Sequence, residues 1–99
     1  MFVVLYEIKI RDGFEAEFRK AWHELTQTIV GEMGSLGARL HRRPDGAFIA
    51  YAQWPNRETW QRGHHHIEQE AEKMHLDQGF IEVPTVLMEL EVLDDLLVK

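Results

Sequence analysis

The 99-residue sequence contains no cysteine. That excludes disulfides, thiolate zinc sites, iron–sulfur clusters and cysteine nucleophiles together, and it suits a reducing interior. Positive charge is also scarce. Eleven Lys and Arg face 17 Asp and Glu, for a formal net charge of −6. A nucleic-acid surface needs clustered cations. The one basic run, Arg39 to Arg43, falls in a predicted hairpin, so no nucleic-acid partner is expected. Long apolar runs are missing as well: none approaches the roughly 20 residues that span a bilayer, so no membrane partner is expected. Met1 to Ile10 is apolar but carries Glu7 and Lys9, with neither a basic start nor a small-residue cleavage site; it reads as a strand rather than a signal peptide. These exclusions predict a soluble cytoplasmic protein.

The residues that are present describe one packed domain over residues 1–99. Hydrophobic side chains make up 44%, among them three Trp, two Tyr and five Phe, enough for a core at this length. There is no internal repeat, linker or low-complexity tract. Phe2, Val4, Tyr6, Ile8 and Ile10 alternate along a first strand, with Val3, Leu5, Glu7 and Lys9 on its other face. Asp12-Gly13 ends it, and Asp12 with Glu15 forms a predicted capping box for the next helix. That helix is predicted over about Phe14 to Met33, with Phe14, Phe18, Ala21, Trp22, Leu25 and Ile29 on one face and Gly34 as C-cap. Pro44-Asp45-Gly46 then joins two strand-like runs, Leu36 to Arg43 and Ala47 to Trp54. Asn56 is a suitable N-cap for a second helix over about Arg57 to Met74, whose inward stripe is Trp60, His64, Ile67, Ala71 and Met74. Gly63 weakens that helix by up to about 1 kcal/mol. Gly79 and Pro84 bracket a loop. The last strand is predicted from Thr85 to about Leu93, with Val86, Met88, Leu90 and Val92 on one face.

The order β-α-β-β-α-β predicts an α+β, ferredoxin-like fold: a four-stranded antiparallel sheet with two helices on one face. The stronger apolar strand faces belong under the helices. The opposite sheet face carries Val3, Leu5, Ile49, Tyr51, Leu87 and Leu93 among Glu7, Arg39, His41, Gln53 and Glu89, and nothing in the chain is left to cover it. Two such faces stacked about a two-fold axis would bury each other, so a homodimer through the open sheet face is expected. The alternative is a monomer with a semi-polar open face.

Gly34-Ser35-Leu36-Gly37-Ala38-Arg39-Leu40-His41-Arg42 resembles the second strand of the antibiotic biosynthesis monooxygenase (ABM) family. So does Phe48 to Trp54 followed by Pro55-Asn56-Arg57-Glu58, and the opening strand leading through Asp12-Gly13 into Glu15-Ala16-Glu17-Phe18. The likeness runs in order to about Trp60 and concerns fold and packing more than catalysis. It implies a dimeric α+β barrel that holds a small aromatic or polycyclic ligand between sheet and helices. Some members oxidise phenols and quinols with O₂ and use no metal or flavin cofactor; relatives degrade haem. The haem-degrading branch has an Asn on strand one, a Trp in helix two and a His about three turns later. The matching positions here, Tyr6, Gly63 and Lys73, depart from that pattern.

On this reading the candidate catalytic residues are His64 and Tyr6. A neutral imidazole on the inward face of helix two can take a phenolic proton, and Tyr6 can orient a ligand hydroxyl. Trp22, Trp54 and Trp60 are candidate walls for an aromatic substrate. Each also has a plainer reading: a histidine hydrogen-bonded at the core margin, a packed Tyr, and ordinary core Trp. His64-His65-His66 is not a metal site, because consecutive helical side chains point about 100° apart; His66 with Glu70 supplies only two ligands. His41, Arg39 and Tyr51 are expected to join Glu7 or Glu89 in a polar network at the dimer seam. His23 and His75 read as surface residues. The sequence therefore predicts a cofactor-independent monooxygenase for a quinol, phenolic or polycyclic compound. The rivals are a non-catalytic dimer that binds a small ligand and a scaffold whose cavity is filled by side chains.

Overall fold

The computed structural model describes residues 1–78 and 84–98, with the side chains of 74–78 left aside. The elements are β1 (Phe2–Ile8), α1 (Glu15–Glu32), β2 (Gly37–Arg42), β3 (Phe48–Trp54), α2 (Arg57–Gln78) and β4 (Thr85–Glu91). They form one antiparallel sheet of order β2-β3-β1-β4, so the expected ferredoxin-like topology is the observed one. The expectations for Met74, His75 and Gly79 fall outside the described residues or side chains.

Local chemistry accounts for most of the boundaries. Asn56 Oδ1 accepts the Thr59 N–H at 2.8 Å and caps α2. In the hairpin turn, Asp45 Oδ1 accepts the Ala47 N–H at 3.1 Å while Gly46 takes φ 93°. Gly34 leaves α1 at φ 78°, and the Ser35 N–H turns back to Ile29 O. The start of α1 departs from expectation. Its N-cap is Phe14, not Asp12, because the chain first closes a turn from Phe14 N–H to Arg11 O, which carries Asp12 out of capping position.

The core lies between the helices and one sheet face. Val4, Tyr6 and Ile8 of β1, Phe48, Ala50, Ala52 and Trp54 of β3, Phe18 and Ile29 of α1, and Trp60 and Ile67 of α2 are all buried together. Trp22 and Leu25 pack against this cluster from α1. Leu36, expected inside, precedes β2 and is exposed.

Strand β4 holds the main surprise. Tyr6 pairs with Val86, but Leu5 pairs with Met88, so Leu87 is an extra residue and the ladder shifts. A bulge of one residue reverses side-chain parity beyond it. Val86 therefore stays under the helices, whereas Met88 and Leu90, expected beside it, pair with Leu5 and Val3 on the open face. Glu89 and Glu91 pair with Val4 and Phe2 and share their helix side. The open face thereby gains apolar surface: Leu87, Met88 and Leu90 are all exposed, and so are Leu93, Leu96 and Leu97 in the segment that follows.

Candidate functional site

Four side chains on two elements meet under the sheet. β1 projects Tyr6 toward the helices, and α2 places Trp60, His64 and Glu68 at i, i+4 and i+8, one face of the helix. Trp60 Nε1–H donates to the Tyr6 hydroxyl at 2.7 Å. The same hydroxyl lies 3.1 Å from His64 Nδ1, and His64 Nε2 lies 2.8 Å from Glu68 Oε1. Tyr6 already accepts from Trp60, so its own proton is directed at Nδ1. The imidazole then carries its proton on Nε2, toward the carboxylate; the network fixes the tautomer. The rings of Trp60 and Tyr6 flank His64 at centroid distances of 5.1 and 5.6 Å and hold it in place.

Burial governs the electrostatics. Tyr6 is 3% exposed. Desolvation pushes its phenol up to about 12; Glu68 and Glu89 push the same way, and only the Trp60 hydrogen bond opposes them. Tyr6 is therefore a protonated donor at any physiological pH and no resting base. Glu68 lies half in solvent, so the chain of hydrogen bonds runs from a buried phenol to water. Glu89, brought to this side by the bulge, is held by Arg57 Nε at 3.1 Å.

Tyr6 also lines an apolar cavity of about 50 Å³ between α1, α2 and the sheet. Its walls are chiefly Ile8, Phe18, Trp22, Leu25, Ile29 and Ile67, and Thr26 adds a second hydroxyl. The volume admits a few waters, so an aromatic ring requires a side chain to move.

The predicted site residues thus separate. Tyr6, His64 and Trp60 are brought together, Trp22 walls the cavity, and Trp54 stands apart. Trp54 is 0% exposed and does not line the cavity. Its indole lies on Gly63, where an added Cβ would collide with the ring, so that glycine is what lets helix and strand approach. Glu68 and Glu89 were missed. The i+4 spacing from His64 signalled the first; nothing local signalled the second. The expected seam network would run between two copies; within the one chain Glu7 pairs with Arg43 and Lys9, Glu89 with Arg57, and Tyr51 accepts from Gln53. Among the described residues no three His, Asp or Glu converge on a metal position, and no helix is long and apolar enough to cross a membrane.

The arrangement does not fit a haem-degrading site. Both His64 nitrogens are engaged, the Gly63 position is roofed by Trp54, and Lys73 is exposed.

Residues 1–74 match the family described as antibiotic biosynthesis monooxygenase. No curated protein matches the sequence. Among solved structures, Rv0793 from Mycobacterium tuberculosis is similar at 14% identity and TM-score 0.69, covering 96% of this chain and 97% of its own. An antibiotic biosynthesis monooxygenase shares 18% identity at TM-score 0.69, covering 95% and 100%. A MhuD mutant with two manganese protoporphyrin IX bound per active site shares 20% identity at TM-score 0.65, covering 97% and 98%. At these identities the likeness is one of fold.

Proposed function

The chain belongs to the antibiotic biosynthesis monooxygenase family, and from that premise we propose that it is a dimeric oxygenase that oxidises a small quinol, phenolic or polycyclic aromatic compound with O₂. The observation that carries this reading is the hydrogen-bonded series Trp60–Tyr6–His64–Glu68, one member of which forms the cavity wall. A substrate hydroxyl placed against Tyr6 gives its proton to the Tyr6 oxygen as the Tyr6 proton passes to His64 Nδ1. Glu68 stabilises the imidazolium that results, and Trp60 keeps its hydrogen bond to the oxygen throughout. Tyr6 is a conduit, because its high pKa returns it to the neutral phenol. The substrate phenolate is the electron donor to O₂, so the reaction needs no separate electron carrier. The apolar walls orient the ring and keep water out. His64 and Tyr6 carry the proton, and Trp22 guards the cavity.

The two-fold assembly rests on the sheet face away from the helices. Met88 is 55% exposed and Leu90 42%, beside Leu5, Ile49 and Tyr51, and a second copy would cover them.

The test is O₂ uptake by the purified protein over a panel of quinols and phenols. Uptake above autoxidation, falling about 100-fold or more in His64→Ala, is the expected result. Binding without uptake selects the non-catalytic ligand-binding dimer instead. Neither binding nor uptake selects the scaffold.

A further inference from the structure

A second concavity adjoins the cavity. It is an open groove of about 920 Å³ between α1 and the edge strand β2, and Trp22 and Ala38 line both spaces. The groove is cationic on a chain that is acidic overall. Arg19, Lys20, Arg39 and Arg42 line it, and among the described residues no Asp or Glu does. His23 and His41 stand beside them. Arg42 is engaged by Glu15. Arg19, Lys20 and Arg39 form no ion pair among the described residues, although the chain has acid to spare. A cleft lined by one sign of charge concentrates ligands of the other sign. The partition between cation and grease is one half-buried indole, Trp22. An outward turn of Trp22 would join the spaces and add room to the 50 Å³ cavity.

We propose that the substrate is an aromatic carboxylate: its ring passes Trp22 into the apolar cavity toward Tyr6, and its carboxylate stays in the groove on Arg19 and Lys20. This rests on the oxygenase reading for what happens at Tyr6, but the recognition is separate from the oxidation. Arg19 and Lys20 lie on α1, away from the sheet face assigned to the second copy; Arg39 and His41 pair with Tyr51 and Ile49 on that face and are not needed to hold the carboxylate.

The experiment is calorimetric binding to the full chain at pH 7.5 and low salt. The probes are 6-hydroxy-2-naphthoate, its methyl ester and 2-naphthol, which share a ring and a hydroxyl. The acid should bind about tenfold tighter than the ester, as one charge-assisted contact implies. That preference should shrink in 0.5 M NaCl and vanish in the Arg19→Gln/Lys20→Gln double variant, with ester affinity unchanged. Circular dichroism confirms that the variant is folded. Equal affinity for acid and ester, a preference the double variant keeps, or binding of none of the three overturns the proposal. Oxidation of neutral quinols without acid preference would remove this inference and spare the oxygenase. Acid preference without O₂ uptake would do the reverse.

Discussion

Replacing Tyr6 by Phe separates the structural part of the hydrogen-bond network from its ionisation. The hydroxyl accepts from Trp60 Nε1–H at 2.7 Å and meets His64 Nδ1 at 3.1 Å. Removing it leaves a buried indole N–H with no acceptor, at a cost of about 1–3 kcal/mol near neutral pH. High pH changes the comparison. The Tyr6 phenol titrates at about 12 in the fold against 10.0 outside it, so the native state holds its proton longer than the unfolded chain does. Stability from this group is complete below pH 10 and is lost as pH rises toward 12. The full loss is about 2.7 kcal/mol for two units, of which about 1.4 kcal/mol has gone by pH 11. Phe has nothing to titrate. The gap between wild type and Tyr6→Phe should therefore narrow by about 1.4 kcal/mol between pH 8 and pH 11, while Tyr51 and the lysines cancel between the two proteins. Urea unfolding followed by tryptophan fluorescence at both pH values measures it. A gap that does not change with pH would refute the assignment of Tyr6 as a desolvated, neutral donor.

Three further outcomes are expected. Glu68→Gln should lower kcat about tenfold or more with little change in KM, because the carboxylate acts on the charged imidazole and not on bound substrate; steady-state O₂ uptake reads both constants. Gly63→Ala should destabilise the protein by about 1–3 kcal/mol despite its better helix propensity, since the new methyl meets the Trp54 ring; a shift in the urea midpoint measures this. In sedimentation velocity at micromolar concentration the wild type should run as the proposed dimer and Leu90→Glu as a monomer, because the change places charge on the proposed seam face beside Val3.

The order of elements, the Pro-Asp-Gly turn, the Asn56 cap and the inward stripes of both helices were legible because each depends on residues within a turn or two of one another. Tyr6, Trp60 and His64 were legible for the same reason, once strand parity and helical period put them on facing surfaces. What was hidden depends on pairing across the sheet. Thr85 to Glu91 carries apolar residues on both parities, so alternation alone puts Met88 and Leu90 with Val86; only the register against β1 shows the extra residue at Leu87. Trp54 likewise reads as a ligand wall until Gly63 is seen to receive its indole. The shift at Asp12 turned on a backbone bond from Phe14 to Arg11, which no side-chain pattern announces.

If the proposed assembly and oxygen chemistry hold, the slip at Leu87 ties them together within a single strand. Upstream of it the strand contributes Val86 to the interior; downstream, the same strand sends grease outward and carboxylates inward, where Glu89 reaches the field around Tyr6. Pairing Leu87 directly with Leu5, with no residue left over, would restore ordinary alternation and exchange the two sides of the downstream strand at once. The twin's contact surface would become acidic, and the phenol would lose a negative neighbour. The register at this point therefore sets at once which side chains a second copy would meet and which charges surround the phenol.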